Sequence, residues 1–239
     1  MRRKTFSWQL PREIEARLGE STYGRQRAIC EAEHLLIILH APPDPETHAR
    51  EPQVFLRKPD GVVLWNGTGG GELRLRQLLV TYRELLERYD DALDNAQTVS
   101  DLFEILEPLG PLNRATTHLS QALQAAREHA REDAFLIAMR DEAYEISRGF
   151  EILTADAKLA LDYRIAQNAE AQMAKAKEMA AAQHKLNILA AATFPLMAVA
   201  TFFGMNLVHG FESAPGLFWV VLLAGCAVGG YTVKWVTTR

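Results

Sequence analysis

At the end of a long stretch without charge the chain reads Phe203-Gly204-Met205-Asn206, and Glu212 follows six residues after Asn206. Asn206 and the Gly204 carbonyl offer neutral oxygens, which accept hydrogen bonds without carrying charge. Such acceptors suit a hydrated divalent cation. Mg2+ gives up its waters reluctantly, so a passage that moves it quickly does better to recognise the water shell than to strip it, and carboxylates there would bind the ion too directly. Glycine permits the helix to end with its carbonyl turned inward. Glu212 is the one charged side chain between two apolar runs, and several copies around an axis would raise the cation concentration at an entrance. His209 could hold a softer metal, although a lone loop histidine needs no ligand to explain it. Taken alone, Gly204 and Asn206 also suit an ordinary helix C-cap, and Glu212 an ordinary solvated loop.

Other chemistry has no visible carrier. The seven histidines include no HxxxH pair, and the sequence holds neither a nucleophile-base motif nor a Walker loop. We therefore expect no enzyme, no cofactor beyond the ion itself and no ATP-driven step. A net charge of -4 argues against a general nucleic-acid binder. Cys30 and Cys226 lie far apart, so no disulfide framework or CxxC zinc site is available.

The elements that must position these residues are membrane helices. Averages of 48% hydrophobic and 23% charged residues resemble a soluble protein, but Leu186–Phe203 and Leu217–Val233 contain no Asp, Glu, Lys or Arg. The first run would extend roughly 27 Å as a helix, near the lower limit for crossing a bilayer core, and the second is similar. Two spans are expected, a buried soluble hairpin being the alternative. Pro195 falls in the first, where membrane helices tolerate proline if a neighbour or water satisfies the freed carbonyl. Lys175, Lys177 and Lys185 precede the pair, Lys234 and Arg239 follow it, and the connector Gly204–Gly216 has no Lys or Arg, so both termini should face the cytoplasm. The basic start of the chain meets Arg12, Glu13 and Glu15 before any useful apolar run, so the N-terminal part should not be exported.

Upstream, residues 1–70 read as a small α+β unit. Pro11–Leu18 has helical composition, His34–His40 reads as a buried strand that pairs with Arg27–Cys30, and Gln53–Leu56 with Val62–Trp65 flank a Pro59-Asp60-Gly61 turn. Residues 71–185 read as helical. Leu75, Leu78, Leu79, Tyr82, Leu85 and Leu86 recur at threes and fours. A shorter helix is expected from an N-cap near Ser100 to Gly110-Pro111, another from there to about Ser147, and a long stalk from about Phe150 into the membrane hairpin of 186–239. The stalk carries a loose heptad, Ile152, Leu159, Ala166, Met173 and Ala180, which favours self-association; packing against the preceding helix is an equal alternative for its upper half.

Gly204-Met205-Asn206, with Pro195 eleven residues before the asparagine, Glu212 six after it and a basic-aromatic Lys234-Trp235 tail, resembles the CorA family of divalent-cation channels over about Lys185–Arg239. The soluble part is shorter than usual for that family. Gly210-Phe211 stand where the family commonly has Met-Pro, and Asn187 where threonine is frequent, so the resemblance bears on fold more than on ion choice. It implies an ion-selectivity element at Gly204, Met205 and Asn206, and a homo-oligomer, pentameric in the family, in a bacterial inner membrane. Leu186, at a commonly leucine position, would then line a hydrophobic gate, although a lipid- or helix-facing leucine needs no such role. The expected partners are further copies of the chain, the lipid bilayer and divalent cations, with Mg2+ as the transported ion. Transport of Zn2+, Co2+ or Ni2+ through the same architecture is the alternative, and a membrane-anchored coiled-coil scaffold the rival outside transport.

Overall fold

From Leu35 to Leu39 every side chain is buried, which a strand achieves only when both of its faces are covered. The computed structural model describes residues 6–44, 47, 49–204 and 216–237, with the side chains of 202, 203, 217, 218, 236 and 237 set aside. In chain order its elements are α1 (Arg12–Glu15), β1 (Arg27–Glu31), β2 (His34–His40), β3 (Pro52–Arg57), β4 (Val63–Trp65), α2 (Gly71–Asn95), α3 (Val99–His129), α4 (Ala134–Gly204) and α5 (Gly216–Thr237). The class is α+β.

The four strands form one antiparallel meander in the order β1-β2-β3-β4. Leu35, Ile37, Leu39 and Phe55 face a core built with α2, α3 and the first part of α4. Leu36, Ile38, Val54 and Leu56 face Ile14 of α1, Tyr23 and the N-terminal Phe6 and Trp8. The β3–β4 turn is the expected one, with Gly61 at φ 85°. The β1–β2 turn gives no sequence signal: Ala32 and Glu33 take φ of 49° and 60°, values that hairpin twist demands and that Asn-Gly would have advertised.

The helices depart from expectation in their breaks. A single helix, α3, runs through Pro108, Gly110 and Pro111. It starts at Thr98 rather than Ser100, with a reciprocal capping box in which the Thr98 hydroxyl accepts from Asp101 N–H and the Asp101 carboxylate accepts from Thr98 N–H. Burial of Ile105, Leu109, Leu112, Ala115 and Leu119 outweighs the hydrogen bonds that the prolines remove. The break lies instead at 130–133, where Asp133 caps α4 by accepting from Leu136 N–H at 3.1 Å and pairs with Arg57 at 2.7 Å. Gly149 interrupts nothing. It lies inside α4, where a side chain would collide with Leu86 of α2.

The chain divides into two compact units, Met1–Ile165 and Ala166–Arg239. Within the first, α4 buries Leu136, Met139, Ala143, Ile146, Phe150, Leu153 and Ala157 at alternating steps of three and four. The heptad residues Ile152 and Leu159 lie off this face and are exposed, so the seam is not what packs α4 against its own core.

Candidate functional site: a helical hairpin and its open end

The second unit pairs the last part of α4 with α5. Their approach is set by absent side chains: a Cβ on Gly229 would sit 2.7 Å from the Ala192 carbonyl oxygen, and one on Gly225 would sit 2.9 Å from Leu196 Cδ1. Two glycines four residues apart put both gaps on one face of α5, the small-x3-small arrangement that lets helix backbones meet where no hydrophobic effect draws them together. The spacing is visible in the sequence, but only the facing Ala192 and Leu196 give it meaning. On the other sides the hairpin is apolar and uncovered, with Leu189, Phe194, Met197, Trp219 and Leu223 all at least 60% exposed. The Thr193 and Thr201 hydroxyls donate to the Leu189 and Met197 carbonyls of their own helix, at 2.9 and 2.7 Å.

Gly204 is the last residue of α4, and a Cβ there would meet nothing within 4 Å. Met205, Asn206, His209 and Glu212 lie outside the described residues. Leu186 is described: it sits on α4 and is 64% exposed, in contact with no core. Among the described residues no helix is long and apolar enough to cross a membrane. Each of the two runs expected to do so includes side chains outside the described ones, Phe202 and Phe203 in one and Leu217 and Phe218 in the other. Among the described residues, too, no group of three or more His, Cys, Asp or Glu is arranged to hold a metal ion. Both cysteines are free thiols.

In the first unit, a cleft of about 280 Å³ is lined by Asp44, Arg88, Tyr89, Glu104, Glu107 and Pro108, among others. The sequence alone does not announce it, because an expected helix end at Gly110-Pro111 leaves no continuous α3 to form one wall. Nearby, His40 closes β2. Its N–H donates to Gln26 Oε1, its carbonyl accepts from the Tyr82 hydroxyl, and Gln26 Nε2 donates to the Ala115 carbonyl, tying the sheet to α2 and α3. Burial lowers the His40 pKa, Arg50 and His118 add to that, and a hydrogen bond with the Gly24 backbone opposes it. Burial likewise pushes the Tyr82 phenol well above its usual range.

No family model and no curated protein matches the sequence. Solved structures do. The cytoplasmic domain of ZntB from Vibrio parahaemolyticus RIMD 2210633 matches with a TM-score of 0.52 and 12% identity, over 68% of this chain and 80% of that one. The chain shares that domain's fold. Full-length CmaX matches over 97% of this chain and 81% of its own, with 19% identity and a TM-score of 0.48. The complete CorA magnesium transporter from Methanocaldococcus jannaschii matches over 88% and 78%, with 16% identity and a TM-score of 0.43. These matches extend over most of the chain at low sequence identity, and the fold shared is that of the ZntB cytoplasmic domain.

Proposed function

We propose that the chain forms a homo-oligomeric membrane channel that passes hydrated divalent cations, Mg2+ foremost, and that it is not an enzyme. The observation that carries this reading is the hairpin. Two helices held at glycine distance leave a broad apolar surface exposed, and a surface of that kind calls for lipid or for further copies of the chain. Trp219 near one end of α5 and Tyr231 and Trp235 near the other suit the two interfaces of a bilayer. Threonine hydroxyls folded back on their own helix suit an apolar medium, where an unpaired donor is costly.

At the end of α4 the Gly204-Met205-Asn206 sequence would offer amide and carbonyl oxygens to the waters around the ion, with Glu212 gathering cations at the outer mouth and Leu186 closing the passage by dewetting. By resemblance to the CorA family the oligomer is a pentamer, and the Lys and Arg residues flanking the hairpin favour termini in the cytoplasm of a bacterial cell. An inside-negative potential favours each entering charge by about 2.3 kcal/mol per 100 mV, so no fuel is needed. The test is uptake into proteoliposomes of Mg2+, Zn2+, Co2+ and Ni2+ by the unaltered chain and by Asn206→Ala. We expect the variant to assemble normally and to lose at least tenfold in flux. Equal flux from both would remove Asn206 from the selectivity element, and no flux of any of the four ions from the unaltered chain would overturn the transport reading.

A further inference from the structure

Pro195 lies inside α4 without ending it. Proline has no N–H, so the carbonyl four residues earlier, that of Ala191, loses its helical donor. That oxygen is nonetheless served: Thr232 Oγ1 of α5 stands 2.7 Å from Ala191 O, a good length for O–H···O. We propose that Thr232 is a positioning residue that replaces, from the neighbouring helix, the donor Pro195 takes away, so that the proline and the seating of α5 form one device.

A hydroxyl carries a single proton, and Thr232 Oγ1 also lies 2.8 Å from the Gly229 carbonyl of its own helix. Need decides between them. Gly229 lies within α5, where the amide of the residue four later serves its carbonyl, whereas Ala191 has no such amide. In apolar surroundings the unserved carbonyl costs more. Two contrasts support the assignment. Thr193 and Thr201 donate back along α4, to Leu189 and Met197, and among the described residues make no such bond to α5. The bond also requires close helices, and the residues that allow this, Gly225 and Gly229, precede Thr232 by steps of four and three on the same face.

The test is a double-mutant cycle read by amide hydrogen exchange of the full-length protein in detergent, over peptides spanning 186–201 and 219–235, with a β2 peptide as the folding control. We expect Thr232→Val to speed exchange in both hairpin peptides roughly three- to tenfold, the effect of one interhelical hydrogen bond, and to leave β2 unchanged. Thr232→Ser should restore the unaltered rates. In a Pro195→Ala background, where residue 195 regains its N–H, Thr232→Val should change exchange less than about twofold. An equal effect in both backgrounds, no effect in either, or failure of serine to rescue overturns the proposal. A Thr232→Val chain that does not fold, while Thr232→Val/Pro195→Ala does, is the same coupling in stronger form and supports it; failure of both to fold overturns it. No metal enters these measurements, so their outcome stands apart from that of the transport assay.

Discussion

His40 shows how a single side chain makes the first unit sensitive to pH. Its pKa is lowered chiefly by burial, then by Arg50 and His118, against a raising hydrogen bond with the Gly24 backbone, and among the described residues its Nδ1 has no hydrogen-bond partner. The folded value therefore lies below the ordinary 6.5, and as pH falls the unfolded chain takes up the proton first. The stability that neutral His40 confers is complete above about pH 6.5 and declines as the pH drops through the folded value. Denaturant midpoints measured between pH 8 and pH 5 should fall with acidification in the unaltered chain and fall less in His40→Gln. Parallel curves would show that His40 is not the group responsible. Glu212 and Asn206 are residues whose spacing carried a hypothesis from sequence alone, because their roles depend on type and on distance from Pro195. Thr232 could not be read that way, since its partner carbonyl lies 41 residues away on another helix.

At the scale of elements, what repeats at short period was legible and what depends on tertiary support was not. Short apolar runs flanking a Pro-Asp-Gly turn located β3 and β4, and threes and fours located α2, because turn chemistry and helix period are both written locally in the chain. Helix ends were misplaced for the complementary reason. Proline and glycine report the local cost of continuing a helix, while the buried leucines of α3 and the close fit of Leu86 over Gly149, where a Cβ would collide, show that packing sets the outcome. The true break at 130–133 has neither residue and rests on Asp133. Two roles of Asp133 can be separated. Asp133→Asn keeps an oxygen for the Leu136 amide but loses the ion pair with Arg57, whereas Asp133→Ala loses both, so alanine should be the more destabilising by about 1 kcal/mol, the worth of a cap. Chemical denaturation checks this, and identical losses would mean that the cap contributes nothing.

Taken as a whole molecule, the chain leaves uncovered a stripe along α4 that its own core does not use. Phe150, Leu153 and Ala157 are buried, while Leu159 and Tyr163 are exposed. If copies of the chain associate along that stripe, Leu159→Glu places a like charge at the same level in every subunit and should shift the detergent-solubilised protein toward smaller species by light scattering, with unchanged circular dichroism. An unchanged mass would assign the contact elsewhere. The meander has a consequence in time. Each strand pairs with the one made just before it, through loops short enough to close quickly, and every residue of the sheet and of the two cores against it precedes Ala166 in the chain. A ribosome moving from the N-terminus thus delivers a sheet ready to close before it has made any of α5, and the helix that must find Ala191 and Ala192 is synthesised after them, when the greasy face it will join is already waiting and has only to be kept from other company.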